Sequence, residues 1–263
     1  MGNDFLKEIV KKKKEQIVIK KSQLPLEIIK EKISSINTKT NFFYKSITKK
    51  NKLCLIAEIK KSSPSNGILR DNFSPLQIAF DYIEAGTDAI SILTEEEYFG
   101  GDISYIPLVK EKFDIPILRK DFIIDTYQIY ESKIYRADAI LLIVELFSRD
   151  TLSEYLDLSG ELGLDCLLEV HSDKDLKKVL SLKKARIIGI NNRNLHNLEI
   201  DLKTTERLFP FIPKERTVVV ESGISKYQDV LFLKILGINA VLIGEAFMKS
   251  YDIKRTVKEM MGW

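Results

Sequence analysis

"LIAEIKKSSPS", residues 55–65, closes an apolar run that begins at Leu53. The run ends with Glu58 and Lys60, two residues apart, and a serine–proline–serine turn follows. A segment that otherwise reads as fully buried therefore carries two charges at its tip. Either it is a strand with one wet face, or the charges sit in a cavity because chemistry needs them there. Side chains alternate along a strand, so Glu58 and Lys60 point the same way in both readings.

The rest of the chain bears on the choice. Seven similar runs follow: "DAISILT" (88–94), "IPILRK" (115–120), "ADAILLIV" (137–144), "DCLLEV" (165–170), "RIIGIN" (186–191), "TVVVES" (217–222) and "NAVLIG" (239–244). They are rich in β-branched residues and nearly continuous in hydrophobicity, as parallel strands covered on both faces are. Amphipathic stretches separate them. "SPLQIAFDYIEAG" (74–86) opens with Ser74 as N-cap and Pro75 at the first helical position, and Gly86 closes it. "SRDTLSEYLDLSGELG" (148–163) and "SKYQDVLFLKILG" (225–237) follow the same plan, each with a capping serine and a closing glycine. Strand and helix repeated eight times, with right-handed crossovers, close into a barrel. An open doubly wound sheet is the rival, but no G-x-G-x-x-G follows the first run. The expected fold is α/β: a single (β/α)8 TIM barrel over 51–263 with an N-terminal helical extension over 1–50, one domain overall.

The extension reads as helix. "DFLKEIVKKKKEQIVIKK" spaces Phe5, Ile9 and Val10 near helical intervals before its lysines, and "LPLEIIKEKI" looks like a second short helix. The expectation is a segment packed on the barrel with its lysines facing water. Few aromatics interleave with those lysines, so neither nucleic acid nor a membrane is the expected partner.

Bulk properties set outer bounds. The chain has 263 residues, 44% of them hydrophobic and 30% charged, with a net charge of +3. That suits a soluble barrel and does not by itself call for nucleic acid. Cys54 and Cys166 lie far apart in apolar runs and read as packed free thiols. No apolar stretch is long enough to span a bilayer, and the N-terminus lacks a signal-peptide core. Gly2 would suit myristoylation only with Ser or Thr at the sixth position, which is Leu6. The expected location is cytoplasmic.

Active sites of such barrels lie at the C-terminal ends of the strands. Glu58 and Lys60 end the first run, Lys120 the third, Glu169 the fifth and Asn191 the sixth, with Arg193 two further on; Glu221 ends the seventh. Taken singly, Lys60, Lys120 and Glu169 read as side chains leaving the core for water. Together they would converge on one mouth, where charges are tolerated only if paired or functional. That places the opening pair in a pocket. His171 and His196, the only histidines, fall in loops with capping or surface roles, and neither a metal cluster nor a Ser/His/Asp set is visible. The available acids and bases are lysines and glutamates. "ESGIS" (221–225) and "IGEAF" (243–247) each place a glycine after a late strand, where loops of this fold bind phosphate.

The motifs "IAEIKKSSPSNG", "LTEEEYFGG", "ILRKDFIID", "ADAILLIV", "LLEVH", "GINNRNL", "VVVESGI" and "VLIGEAFM" together resemble the indole-3-glycerol phosphate synthase family of tryptophan biosynthesis. "LKEIVKKKKEQI" resembles that family's helical extension. The resemblance implies a carboxy-lyase that closes the ring of 1-(2-carboxyphenylamino)-1-deoxyribulose 5-phosphate, losing carbon dioxide and water, with no cofactor or metal. It implies that Lys120 is the general acid of ring closure and Glu169 a general base. Lys60 would contact substrate and phosphate and serve dehydration, Glu58 would orient these groups, and Asn191 would be an active-site amide. Arg193 and Ser63 would meet the anthranilate carboxylate. Ser222, Gly223, Gly244 and the Glu245 amide, with Lys60, would hold the phosphate. Pro64, Phe99, Phe122, Leu141 and Leu195 would wall the aromatic ring, and Glu221 would share the site. A lysine beside other cations has its pKa lowered, which suits proton delivery. Two departures stand out: Arg136 replaces a glycine common before "AD", and Ser62 a lysine common in the first loop. Competing readings are a phosphoribosylanthranilate isomerase, whose cysteine near the end of the first strand Cys54 is too early to match, and a non-catalytic phosphate-ligand-binding barrel, which need not keep both Lys120 and Glu169. Association with other tryptophan-pathway enzymes is left open, and no second barrel is expected to follow.

Overall fold

The computed structural model describes residues 4–33, 36 and 40–263. Eight parallel strands make a closed barrel: β1 (Cys54–Ile59), β2 (Ala89–Leu93), β3 (Ile117–Lys120), β4 (Ala139–Ile143), β5 (Asp165–Val170), β6 (Ile187–Asn191), β7 (Thr217–Glu221) and β8 (Ala240–Ile243). β1 pairs with β2 on one side (Ile56 opposite Ala89) and with β8 on the other (Cys54 opposite Ala240), so the ring has no edge. This closure rules out the open sheet.

The period of two in each strand divides the apolar residues into two cores. Leu55, Ala57, Ile59, Ile90, Ile92, Ile140 and Leu168 face outward and pack under the helices. Cys54, Ile56, Ala89, Leu118, Ala139, Leu167, Val219 and Ala240 face inward and fill the barrel. Both cysteines are free and buried.

The helices mostly begin and end where the punctuation residues predict. In α4 (Pro75–Ala85) the Ser74 hydroxyl accepts from the Gln77 N–H, and Gly86 closes the helix at φ 97°. α7 (Arg149–Glu161) is capped by Ser148, with Gly163 at φ 72° beyond its end. α10 (Tyr227–Leu236) differs from the expectation. Its N-cap is Lys226, not Ser225; the Asp229 carboxylate accepts from the Ser225 and Lys226 N–H groups at 2.9 and 3.1 Å. An aspartate one turn in supplies the acceptor that the serine was expected to supply.

The N-terminal segment forms α1 (Phe5–Gln23), α2 (Leu26–Ile33) and α3 (Phe42–Ile47). The buried stripe of α1 is Leu6, Ile9, Lys13 and Ile17, while Phe5 and Val10 are half-buried. Lys13 thus corrects the expectation that the lysines face water. Its Nζ lies 2.9 Å from an Asp121 oxygen and 3.9 Å from Glu95. Asp121 also bonds Arg119 and the Thr94 hydroxyl, and Arg119 reaches Glu131, so Lys13 completes a buried ionic network. α3 lies at the opposite end of the barrel, where the Tyr44 N–H donates to Asp165 at the start of β5 and Phe43 and Ile47 join the inner core. Among the described residues no helix is long and apolar enough to cross a membrane.

Candidate active site

The inward parity of each strand continues past its apolar residues into polar ones. Cys54 and Ile56 face in, so Glu58 and Lys60 do too. The same count brings Lys120, Glu169, Asn191 and Glu221 to the C-terminal mouth. There a cavity of about 740 Å³ opens, within the size range of small-molecule sites. The opening question is thereby answered: the charges at the end of the first strand line a pocket.

Two ion-paired groups lie in this mouth. Lys60 Nζ donates to Glu58 Oε1 at 2.8 Å. Lys120 Nζ lies 3.2 Å from Glu221 Oε2 and 3.7 Å from Glu169 Oε2. Glu58, Glu169 and Glu221 are all buried. None of the four oxygens of Glu169 and Glu221 makes a hydrogen bond of normal geometry, so charge holds them in place.

This arrangement sets the protonation states. Burial disfavours the Lys120 ammonium, yet Glu221, Glu169 and Glu58 outweigh it and hold its pKa above the ordinary lysine value. That reverses the expected lowering: Lys120 has three glutamates for neighbours, not a crowd of cations. Burial also opposes ionisation of Glu169, but Lys120 and His171 hold it below the usual carboxylate range. Burial, with the charge of Glu169 adding to it, pushes Glu221 up. Glu58 is pulled down by Lys60 and Lys120 against burial.

Two glycines make room for these carboxylates. A Cβ on Gly189, in the middle of β6, would come within 2.5 Å of Glu221 Oε1. One on Gly244 would meet Glu58 Oε1 at 2.7 Å. Gly244 was expected to matter for phosphate; Gly189 was not singled out, although an isolated glycine inside a strand signals such close approach.

The apolar side of the cavity includes Phe99, Phe122, Leu141 and Leu195, with the Phe99 and Phe122 ring centres 6.4 Å apart. Ser222, Gly223, Gly244 and Glu245 line the opposite side. Ser222 and Gly223 both adopt left-handed backbone, at φ 65° and 79°, and α11 (Glu245–Met248) begins directly after Gly244. Arg193 lines the cavity and lies 3.5 Å from the Glu245 carboxylate, which also accepts from Lys249 at 2.8 Å. Glu245 therefore brings a side chain to the site as well as its backbone. Ser63 and Pro64 do not line the cavity. After Lys60 the chain turns outward into a small hairpin, Ser62–Ser63 against Gly67–Ile68, which leaves Pro64 exposed and Ser63 Oγ buried without a partner.

His196 keeps the surface role expected of it, whereas His171 does not. His196 bridges Asp4 and Glu145, 2.8 Å from each, and so ties the start of α1 to the loop after β4. His171 sits beside Glu169, its Nε2 3.3 Å from Oε1. Among the described residues no group of three His, Cys, Asp or Glu side chains is placed to hold a metal ion.

Comparison with known proteins gives this geometry a family. The sequence pattern of indole-3-glycerol phosphate synthase matches residues 6–260. The chain belongs to the indole-3-glycerol phosphate synthase family. The indole-3-glycerol phosphate synthase of Acetivibrio thermocellus is 46% identical over 256 residues, covering 97% of this chain and 98% of that protein. The enzyme of the same name from Caldanaerobacter subterraneus is 47% identical over 260 residues, covering 98% and 99%. Among solved structures, a 3-hexulose-6-phosphate synthase aligns at a TM-score of 0.62 and 15% identity, over 80% of this chain and 99% of that one. A tryptophan synthase α-subunit from Pyrococcus furiosus aligns at 0.60 and 17% identity, over 80% and 98%. At such identities these two likenesses speak to the barrel fold alone.

Proposed function

We propose that this chain converts 1-(2-carboxyphenylamino)-1-deoxyribulose 5-phosphate to indole-3-glycerol phosphate, with loss of carbon dioxide and water, by acid–base catalysis from lysines and glutamates. The observation that carries the reading is the placement of Lys120 between Glu169 and Glu221, in the same mouth as the Lys60–Glu58 pair. Ring closure needs a proton delivered to the ketone oxygen as the aromatic carbon attacks. Lys120 is charged and able to give it, and developing negative charge on the oxygen makes the transfer easier in the transition state than before it. Decarboxylation then restores the aromatic ring. Dehydration needs a base to take a proton and an acid to help hydroxide leave; Glu169 is the base and Lys60 the acid. Glu58 orients Lys60 through their 2.8 Å bond.

The phosphate rests against the Ser222, Gly223, Gly244 and Glu245 backbone with Lys60 beside it, the anthranilate carboxylate meets Arg193, and the ring lies among Phe99, Phe122, Leu141 and Leu195. Asn191 and Glu221 complete the polar rim. A phosphoribosylanthranilate isomerase reading gains nothing, since Cys54 lies at the N-terminal end of β1, away from the mouth. The test is direct: purified protein mixed with the carboxyphenylamino deoxyribulose phosphate should develop indole fluorescence. Its failure to do so would overturn the reading.

A further inference from the structure

His171 follows Glu169 by two residues, so both side chains share the inward face of β5, as Glu58 and Lys60 do on β1. The carboxylate-x-cation pattern "EIK" is thus repeated as "EVH". The His171 side chain is 13% exposed, Nε2 lies 3.3 Å from Glu169 Oε1, and neither ring nitrogen makes a hydrogen bond of normal geometry. Glu169 therefore has a different cation at each oxygen: His171 at Oε1, and Lys120 from β3 at Oε2, 3.7 Å away.

This division matters during the reaction. If Lys120 gives its proton to substrate, it loses its charge, and Glu169 loses one partner just when it must stay ionised to act as a base. We propose that His171 is a positioning residue for Glu169, its imidazolium holding the Oε1 side of the carboxylate while Lys120 is discharged. The proposal rests on the function proposed above. The charged groups facing the pair are Lys120 of β3, Glu221 of β7 and Asp175 of α8 (Asp173–Leu180), with Glu58 of β1 facing Glu169, while the Arg207 guanidinium of α9 (Lys203–Leu208) donates to the His171 carbonyl at 3.4 Å. Burial disfavours the imidazolium, but Glu169 first, then Glu221 and Asp175, outweigh it and raise the His171 pKa.

The chain has only two histidines, so ring NMR resolves the question, with His196→Gln assigning the signals. In wild type both imidazoles should titrate above the ordinary range, and Glu169→Gln should lower the His171 midpoint by about one unit or more while leaving that of His196 in place. A midpoint that does not move overturns the proposal, whatever the activity. The second readout is the pH profile of kcat/KM. Removing a cation beside a base makes the base harder to ionise. His171→Gln should therefore move the acid limb up by about one unit, so activity falls more at low pH than at high, with KM little changed. In a Glu169→Gln background the same change should have no further effect on the limb. A uniform loss at all pH values would show a merely structural role and overturn the proposal; His171→Asn gives a second neutral replacement if His171→Gln folds poorly. Wild-type protein that titrates as expected yet leaves the substrate unconverted overturns the function instead.

Discussion

At the scale of the residue, Lys120 and Lys60 are separated by their neighbours. Lys120 faces two glutamates within 4 Å, whereas Lys60 is bonded to Glu58 and lies towards the side lined by Gly244. A proton donor acts mainly in the transition state, and general acid catalysis is typically worth about 10²–10⁴-fold. Lys120→Met is therefore expected to lower turnover by about that factor while substrate still binds, and Lys60→Met to weaken binding as well. Turnover and substrate dissociation measured for both variants decide the matter; near-normal turnover of Lys120→Met would make Lys60 the acid. Gly189 offers a second test. A methyl group there would sit 2.5 Å from Glu221 Oε1 and 3.2 Å from Leu167 Cδ1. Overpacking of this kind costs about 1–3 kcal/mol, so Gly189→Ala should lose stability, and turnover should fall as Glu221 is displaced. A variant equal to wild type in both would remove the need for that glycine. The parity argument that revealed Glu58 and Lys60 was equally available for Glu169 and His171. The histidine is masked because it falls just past the end of the apolar run, where residues read as loop. Nothing local in the sequence reports that Pro64 is exposed, because that depends on the hairpin after Lys60.

At the scale of the element, strands and caps were legible because their signals are local. All eight runs are strands, and Ser74, Pro75 and Gly86 do what their chemistry predicts. Two things were not local. Asp229 displaced Ser225 as the acceptor at the start of α10 by reaching back from one turn inside. Lys13 looks like any lysine in "KKKK", and its partner Asp121 is more than a hundred residues away. Arg136 is the reverse case, where a departure in sequence has a visible structural cost. It follows α6 (Thr126–Ile134) in left-handed backbone at φ 66°, with its N–H bonded to the Lys133 carbonyl at 2.9 Å. That conformation costs an ordinary L-residue about 1–2 kcal/mol, partly offset by the greater freedom a glycine loses on folding. Arg136→Gly should therefore stabilise the protein by about 0.5–1 kcal/mol and raise Tm by about 1–4 °C, with activity unchanged. A lower Tm in a thermal melt would mean that the arginine side chain contributes more than its backbone costs.

At the scale of the whole molecule, the N-terminal segment belongs to both ends of the barrel, and α1 belongs to the catalytic end. It lies on the loops that follow β2 and β3. Phe5 stacks edge-on against Tyr98 at 5.1 Å, the Tyr98 hydroxyl donates to Glu8 at 2.8 Å, and Lys12 pairs with Glu97. Lys21 reaches Asp125 at 2.7 Å, and the Tyr127 hydroxyl donates to the Leu24 carbonyl at 3.0 Å. Phe99, one residue after Tyr98, lines the cavity and packs against Phe122. Deleting residues 1–40 should therefore free the loop that carries Phe99 and raise KM by about 10-fold, equivalent to about 1.4 kcal/mol of binding. Stability should fall too, because Lys13 leaves Asp121 with one buried cation fewer; removing a partner from a buried pair costs about 3–5 kcal/mol, and the remaining Arg119 places this case at the lower end. The loss has a pH signature. Burial opposes ionisation of Asp121, but Lys13 and Arg119 outweigh it and hold the carboxyl well below its usual range. A depressed carboxyl contributes stability that is present above its unfolded pKa and lost as the pH falls through the folded one. The stability gap between full-length and truncated protein should thus be widest near neutrality and narrow below about pH 4. Thermal melts of both proteins across that window, with KM measured at neutral pH, test the whole argument. If the deletion leaves KM and stability intact and instead abolishes salt-sensitive binding to DNA or RNA, the lysines of α1 serve a nucleic acid and not the barrel.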